Sequence, residues 1–157
     1  MINFTLPDGQ EYKLTQAVFD YNGTLAEDGI LTEETKTLLR KVAELVKVTV
    51  LTADTFGLAR EQLADVTGAQ VHIIDKGAEA AQKREFVKSC GKENTICFGN
   101  GANDREMFGE AVLAVGVIGP EGAYQPTLAQ ADVVVTNPKA ALMLLLKPGR
   151  LVATLRA

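Results

Sequence analysis

The sequence is poor in several residue types that metal, redox and nucleic-acid sites use. Its 157 residues include no tryptophan, one histidine and two cysteines. Cys90 and Cys97 lie in apolar surroundings without metal-site spacing, so we expect two reduced, buried thiols. His72 lies within a predicted strand and is expected to pack rather than to catalyse. Lysine and arginine number 16 against 20 acids, and the net charge of −4 argues against a nucleic-acid partner.

Long hydrophobic runs are also missing. The longest, AALMLLL at 140–146, is far shorter than the roughly 20 apolar residues of a membrane-spanning helix. The first ten residues, MINFTLPDGQ, lack the basic start and the apolar core of a signal peptide. We therefore expect a cytoplasmic protein without a membrane partner. No repeat or linker divides residues 1–157, and this length fits a single domain.

Strand and helix patterns alternate along the chain. Residues 2–14 predict a β-hairpin that turns at Pro7–Gly9. Strands are predicted at 17–21, 46–52, 70–75, 94–99, 113–117 and 132–136, and helices at 32–45, 54–66, 78–90, 103–111, 126–130 and 138–146. Thr32 is expected to cap the first helix, and Asp54 or Thr55 the second. This alternation predicts an α/β fold, a three-layer Rossmann-like parallel sheet between helices.

Polar residues follow several of the predicted strands. Asp20 ends the first strand and Thr52 the second, Asn100 follows the fourth, and Lys76 and Lys83 follow the third. Ligands collect at the carboxyl ends of parallel strands, so these side chains should form one site. An acid, a hydroxyl, a lysine and an amide are what a phosphate and a divalent cation require.

The position of Asp20 indicates phosphoryl chemistry. A lone carboxylate at a strand tip can attack phosphorus and form an aspartyl-phosphate. Gly23 in the following turn lets the backbone approach the phosphate closely. Because carboxylate and phosphate repel each other, we expect Mg²⁺ and a lysine to neutralise the site. Asp104, in the GNGAND loop, is the second acid available to the metal, and the Thr52 hydroxyl can donate to a phosphoryl oxygen.

Three stretches resemble the signatures of the haloacid dehalogenase-like phosphohydrolase superfamily. VFDYNGTL resembles the first signature, usually Asp-x-Asp-Gly-Thr after an apolar strand, and VTVLTAD resembles the second. QKREFVKSCGKENTICFGNGANDREMF resembles the third and fourth, a helix lysine followed by Gly-Asp-Gly-x-Asn-Asp. Within the superfamily, the chain is most similar to the phosphorylation domain of P-type ATPases and to the small soluble proteins that look like that domain alone.

The resemblance implies a fold, a reaction and a set of site residues. The fold is the HAD-like α/β fold, the cofactor is Mg²⁺, and the activity is that of a phosphatase with an aspartyl-phosphate on Asp20. The implied catalytic residues are Asp20, Asn22, Thr52 and Lys83. The implied phosphate-binding residues are Gly23, Thr24, Thr52, Ala53, Lys83 and Asn103. The implied metal ligands are Asp20, Asn22 through its carbonyl, Asn100 and Asp104. Lys83 is preferred over Lys76 because its KREFV context resembles the family's helix, and Lys76 stays an alternative.

Two residues depart from the family pattern. Asn22 stands where most phosphatases of the superfamily have a second Asp, the general acid–base, whose contribution is typically about 10²–10⁴-fold in rate. Asn100 stands where the fourth signature has its main metal-binding acid. The expected protein is therefore a slow phosphatase. The alternative is a non-catalytic phosphate- or metal-binding module with a regulatory or partner-binding role.

The spacing of the elements leaves no room for the cap domain that many relatives insert. Only some dozen residues separate Asp20 from the helix at 32, and one helix fills the segment from Thr52 to Gln70. We expect an open site for a phosphorylated substrate that is macromolecular or carries an exposed phosphate. A homo-oligomer, in which a second subunit acts as a lid, is left open. A dinucleotide site is not expected, because no Gly-x-Gly-x-x-Gly turn follows the first strand.

Overall fold

A six-stranded parallel sheet forms the centre of the computed structural model, which describes residues 1–54 and 57–157. An antiparallel hairpin of β1 (Ile2–Thr5) and β2 (Glu11–Leu14) precedes it. The sheet strands are β3 (Gln16–Asp20), β4 (Lys47–Thr52), β5 (Ala69–Ile73), β6 (Thr95–Gly99), β7 (Leu113–Val117) and β8 (Val133–Val135). Their order is β5-β4-β3-β6-β7-β8, with every neighbouring pair parallel. The predicted hairpin and parallel sheet are confirmed.

Helices connect the strands and cover both faces of the sheet. They are α1 (Glu33–Ala43), α2 (Leu58–Leu63), α3 (Glu79–Cys90), α4 (Arg105–Phe108), α5 (Gln125–Leu128), α6 (Pro138–Leu146) and α7 (Gly149–Leu155). Two short 3₁₀ turns lie at Lys92–Asn94 and Ala102–Asp104. The predicted α/β fold class is therefore confirmed. In the described ranges, no helix has the length and apolar character needed to cross a membrane.

The side chains of the central strands alternate between two apolar layers. Phe19 and Phe98 stack at 4.4 Å between ring centroids in the larger layer, which includes residues of α1 and α6. Val18 and Cys97, one residue earlier on each strand, belong to the smaller layer with residues of α3 and α4. Strands buried on both faces show continuous apolar runs, as in the sequence here. β3 lies between β4 and β6, so Asp20 ends a strand in the middle of the sheet edge.

The predicted helix starts are right in one case and wrong in another. Thr32 caps α1 as expected, and its hydroxyl accepts a hydrogen bond from the Thr35 N–H at 3.1 Å. The helix predicted from 54 begins only at Leu58, after Gly57 in the left-handed region at φ +70°. Asp54 still supports this helix, because its carboxylate accepts the Ala59 N–H at 2.8 Å. The other predicted cap, Thr55, lies outside the described residues.

Two further differences concern short helices. The helix predicted at 103–111 is divided into the 3₁₀ turn Ala102–Asp104 and the four residues of α4. The helix α7 was not predicted, because its seven residues begin with a glycine and show too little periodicity. Both cysteines are free, with Cys97 buried as expected and Cys90 only partly buried. Between β3 and α1, and between β4 and β5, the described residues hold turns and α2 but no inserted domain.

Candidate active site

A polar pocket of about 300 Å³ opens at the carboxyl edge of the sheet. Asp20, Thr52 and Asn100 border it from the ends of β3, β4 and β6, which lie side by side. Parallel strands present their carboxyl ends at one edge, so residues far apart in the sequence meet there. The structure thus brings the three predicted strand-end residues together.

Lys83 joins two carboxylates at the floor of this pocket. Its Nζ donates to Oδ1 of Asp20 at 2.6 Å and to Oδ1 of Asp104 at 2.7 Å. Lys83 is 1% exposed and Asp104 is fully buried. A buried ammonium group is tolerated only when it is paired and hydrogen-bonded, as it is here. Of the two candidate lysines, Lys83 contacts Asp20, whereas Lys76 is exposed and lies outside the residues that line the pocket.

The carboxylate of Asp104 accepts hydrogen bonds on both of its oxygens. Its Oδ2 accepts the backbone N–H groups of Asn100 at 2.9 Å and of Gly101 at 3.0 Å, while Oδ1 accepts from Lys83. Gly99 makes this position possible, because a Cβ on it would lie 2.5 Å from Cγ of Asp104. Asp104 was expected to bind the metal. Its burial and its hydrogen bonds suit a residue that positions Lys83.

The triad carries one positive charge for two carboxylates. Burial and, to a smaller extent, the nearby charge of Asp104 raise the pKa of Asp20, while Lys83 opposes both effects. The net result is a pKa of about 6. Burial lowers the pKa of Lys83, but its two carboxylate partners outweigh this and the pKa is raised overall. Lys83 is therefore a cation at neutral pH. Further positive charge is needed before the site can hold a phosphate dianion.

The turn after β3 fixes the second oxygen of Asp20. The Thr24 hydroxyl donates to Oδ2 of Asp20 at 3.0 Å and lies 3.3 Å from Oδ1 of Asn100. Thr24 is fully buried and Gly23 lies beneath Asn100, so neither lines the pocket as a phosphate-binding residue was expected to. Gly23 has φ +78°, and a Cβ on it would overlap Nδ2 of Asn100. These two residues support the site from below.

Other predicted residues do face the pocket. Asn22, Thr52, Ala53 and Asn103 all line it. The Thr52 hydroxyl oxygen accepts the Asp54 N–H at 3.0 Å, which leaves the hydroxyl proton available to a ligand. Oδ1 of Asn103 accepts from Nζ of Lys83 at 3.3 Å, so its amide N–H₂ group is also available.

The structure adds residues that the sequence analysis did not single out. They are Asp54, Ile74, Glu79, Gly101 and Glu121, all in the lining of the pocket. Glu121 lies in the turn after β7, a few residues beyond the strand end, whereas Asn100 follows β6 directly. The strand-end rule would have identified it had the rule been applied to the Gly-Pro-Glu-Gly turn. Asp54 follows Thr52 by two residues and was interpreted only as a helix cap.

The donor set of the pocket fits a hard divalent cation. The described lining residues include carboxylates and amides but neither histidine nor cysteine, and oxygen ligands are those that Mg²⁺ prefers. Across residues 1–54 and 57–157, no three His, Cys, Asp or Glu side chains are grouped to hold a metal ion. A cation beside Asp20 would therefore be held by amide or carbonyl oxygens as well as by carboxylates.

Two curated proteins of Methanocaldococcus jannaschii resemble the chain in sequence. An uncharacterized protein is 40% identical over 84 residues, 51% of this chain and 90% of the relative. A protein named soluble P-type ATPase-like phosphatase is 32% identical over 119 residues, 74% of this chain and 43% of the relative. The chain thus spans less than half of the length of that phosphatase. No protein-family model matches the chain.

Solved phosphatase structures share the fold. The 3-deoxy-D-manno-octulosonate 8-phosphate phosphatase of Moraxella catarrhalis, in complex with magnesium, phosphate and KDO, has a TM-score of 0.72 at 14% identity over 91% of this chain and 94% of that one. The cobalt-bound enzyme of Haemophilus influenzae has 0.71 at 13% identity, over 92% and 94%. A candidate HAD family hydrolase of Streptomyces avermitilis has 0.66 at 16% identity, over 85% and 83%. The chain has the fold of the haloacid dehalogenase-like (HAD) hydrolases.

The HAD-like fold of these structures and the name of the sequence relative confirm the resemblance inferred from the sequence. The agreement with solved structures concerns the fold, because their identities to this chain lie between 13% and 16%. The likeness to the P-type ATPase group rests on the sequence relative of that name. The roles of the individual residues in this pocket stay predictions.

Proposed function

We propose that the chain is a Mg²⁺-dependent phosphohydrolase that transfers a phosphoryl group first to Asp20 and then to water. The observation that carries the proposal is the buried triad in which Lys83 bridges Asp20 and Asp104 at the floor of a polar pocket. A carboxylate held beside a fixed cation is arranged to attack phosphorus, since the cation offsets the charge of the phosphoryl oxygens. The phosphatase named among the relatives supports the same class of reaction.

The reaction proceeds in two displacements on phosphorus. An oxygen of Asp20 forms a bond to phosphorus while the bond to the leaving oxygen breaks. The leaving oxygen keeps the electron pair of that bond and takes a proton from solvent. Water then attacks the phosphorus of the aspartyl-phosphate, which releases inorganic phosphate and restores the carboxylate of Asp20.

The chain's own residues bind and orient the phosphoryl group. Lys83 stays protonated throughout and pairs with the charge that develops on the phosphoryl oxygens. The Thr52 hydroxyl and the Asn103 amide have protons to donate to those oxygens. Ala53 also lines the pocket, and its backbone N–H would be a further donor. Thr24 keeps the nucleophile oriented, because its hydroxyl donates to Oδ2 of Asp20.

A Mg²⁺ ion in this pocket would be held by oxygen ligands of Asp20, Asn22 and Asn100. The ligands would be the carboxylate of Asp20, the backbone carbonyl of Asn22 and the amide oxygen of Asn100. When bound, the ion supplies the second positive charge that the triad lacks and so reduces the repulsion between Asp20 and the substrate.

Low turnover follows from the residue at position 22. Asn22 is exposed and lines the pocket, but an amide cannot hold and release a proton. The leaving oxygen and the attacking water are therefore left to solvent for proton transfer. We expect good leaving groups such as p-nitrophenol or a carboxylate to react faster than alkyl phosphates do, because good leaving groups need no protonation.

The test is the Mg²⁺-dependent release of p-nitrophenol from p-nitrophenyl phosphate. The wild type should hydrolyse it, and Asp20→Asn should reduce the rate to background. Asp75→Asn, which removes the same charge at an exposed position, should behave as the wild type does. Equal rates for the wild type and Asp20→Asn at saturating Mg²⁺ would contradict the proposal.

A second function is favoured by the two amides in the pocket. Asn22 and Asn100 leave Asp20 as the only acid among the predicted metal ligands that faces the pocket. A phosphate- or metal-binding module without turnover would have this composition. Such a module would bind phosphate with Mg²⁺ while leaving p-nitrophenyl phosphate intact.

A further inference from the structure

We propose that Glu121 is a ligand of the divalent cation in this pocket and supplies the carboxylate charge that Asn100 lacks. The signatures that the sequence shares with the HAD superfamily assign nothing to this residue. The inference deepens the proposed function, since the cation serves the reaction at Asp20. Its readout is metal binding, which can be measured whether or not the protein turns over substrate.

The loop after β7 carries Glu121 into the site. Gly119 and Gly122 form an isolated antiparallel bridge, and the Gly122 N–H donates to the Gly119 carbonyl at 2.8 Å. This tight turn projects Glu121 between them over the carboxyl edge of the sheet. The side chain lines the pocket that also contains Asp20 and Asn100.

Asn100 itself holds this loop at two points. Its carbonyl accepts the Tyr124 N–H at 2.7 Å, and its Nδ2 donates to the Gly122 carbonyl at 3.3 Å. The second bond orients the side chain so that Oδ1 faces Thr24, on the side of Asp20. The amide nitrogen is thereby turned to the loop, and the amide oxygen to the side of Asp20.

The carboxylate of Glu121 lies against the same point as the amide of Asn100. A Cβ on Gly23 would overlap Nδ2 of Asn100 and would lie 2.9 Å from Oε2 of Glu121. Both side chains therefore occupy the space where a Cβ on Gly23 would lie. Glu121 thus stands next to Asn100, at whose position the fourth HAD signature has its main metal-binding acid.

The charges in the pocket favour a metal role for Glu121. Lys83 is already shared by Asp20 and Asp104, so it does not neutralise a third carboxylate. In the part of the chain that the structure describes, no lysine, arginine or histidine forms an ion pair with Glu121. The number of charged ligands largely sets the affinity of an oxygen site for a divalent cation. Asp20 and Glu121 together give two carboxylates in the lining of one pocket, which Asn100 also lines.

The test is Mn²⁺ binding by the purified protein, which is measured through the electron paramagnetic resonance signal of the free ion. Glu121→Gln keeps the size of the side chain and removes its charge, and we expect it to weaken Mn²⁺ binding about tenfold or more. The matched control is Asp28→Asn, which removes the same charge beside the neighbouring cavity that Glu121 also lines. Asp28 has φ +50°, which asparagine tolerates, and this variant should bind Mn²⁺ nearly as the wild type does.

A double variant separates a lost ligand from a damaged pocket. Asn100→Asp returns a carboxylate to the neighbouring position, so Asn100→Asp combined with Glu121→Gln should bind Mn²⁺ about as tightly as the wild type. Equal binding by Glu121→Gln and Asp28→Asn would overturn the inference. So would a wild type that binds no Mn²⁺, or a weak Glu121→Gln variant that Asn100→Asp fails to restore.

The outcome is independent of the outcome for the proposed function. If Asp20→Asn abolishes hydrolysis while Glu121→Gln binds Mn²⁺ normally, the phosphatase stands and the role of Glu121 is refuted. If Glu121→Gln binds weakly and is restored, while Asp20→Asn hydrolyses as the wild type does, the metal site stands and the phosphatase is refuted.

Discussion

Lys83 and Asp20 are 63 residues apart in the sequence, yet Nζ of the lysine lies 2.6 Å from Oδ1 of the aspartate. The contact is buried, and it joins the end of the central strand β3 to the helix α3 on the smaller apolar layer. Asp104 accepts from the same ammonium group at 2.7 Å. The triad therefore contributes both to the stability of the fold and to the charge of the pocket.

Removal of Lys83 should destabilise the protein strongly at neutral pH. Lys83→Met fills a similar volume but leaves two buried carboxylates facing each other, and we expect it to lower the free energy of unfolding by about 3–5 kcal/mol. The measurement is urea unfolding at pH 8. Lys76→Met, the same change at an exposed site, should lower it by less than about 0.5 kcal/mol. Similar losses in both variants would contradict the structural role of Lys83.

The Lys83→Met defect should also depend on pH. The pKa of Asp20 is already raised by burial and by Asp104, and losing Lys83 removes the effect that opposes both. A group whose pKa is raised on folding stabilises the protein at pH values below its pKa in the unfolded chain. This contribution is lost as the pH rises through its pKa in the folded protein. Lys83→Met should therefore be more stable at pH 5 than at pH 8, relative to the wild type. An unchanged or larger defect at pH 5 would be inconsistent with two unpaired carboxylates.

Asp104→Asn should weaken the protein and the reaction together. One amide oxygen cannot accept from Lys83 and from the N–H groups of Asn100 and Gly101 at once, so a buried donor loses its partner. Such losses cost about 1–3 kcal/mol, which denaturant unfolding would measure. Glu106→Gln is the control, because this acid is paired with Arg84 at the surface. A neutral Asp104→Asn variant would show that the carboxylate is not needed to hold Lys83.

Asn22→Asp should raise the rate of phosphate-ester hydrolysis. Position 22 is exposed and borders the pocket, so the carboxylate adds a general acid–base without disturbing the core. We expect a gain of about 10²–10⁴-fold in p-nitrophenyl phosphate hydrolysis, with Asn22→Ala as the control that leaves the rate unchanged. No gain, in a protein that still binds phosphate, would favour the non-catalytic module.

Metal binding should weaken in acid. Burial and Asp104 raise the pKa of Asp20 to about 6 against the opposing effect of Lys83, and a carboxylate binds Mg²⁺ only as the anion. Below pH 6, binding must therefore displace a proton, and the affinity should fall by up to about tenfold per pH unit. Isothermal titration calorimetry at pH 5 in two buffers of different ionisation enthalpy counts the protons released. No release at pH 5 would show that Asp20 is not a ligand or that its pKa is ordinary.

The strands and the position of Asp20 could be predicted because they depend on local pattern. An unbroken apolar run such as AVF is typical of a strand covered on both faces, and the acid after it ends the strand at the sheet edge. The cap at Thr32 depends on the same short range of sequence. By contrast, the start of α2 depends on a hydrogen bond from Ala59 to the side chain of Asp54, which no periodicity reveals.

The roles within the site depend on three-dimensional distances that the sequence does not contain. Both Lys76 and Lys83 follow β5, and only the packing of α3 decides which of them reaches Asp20. The sequence alone does not distinguish the roles of the two acids Asp104 and Glu121. The turn at Gly99–Gly101 buries the first, whereas the turn at Gly119–Gly122 projects the second into the pocket.

The most direct test of the account is to identify the residue that accepts the phosphoryl group. The protein would be incubated with Mg²⁺ and acetyl phosphate, quenched in acid and reduced with borohydride, which converts an aspartyl-phosphate to homoserine that peptide mass spectrometry can locate. The account predicts homoserine at Asp20 and none in Asp20→Asn. Homoserine at another position, or an unmodified chain, would contradict it.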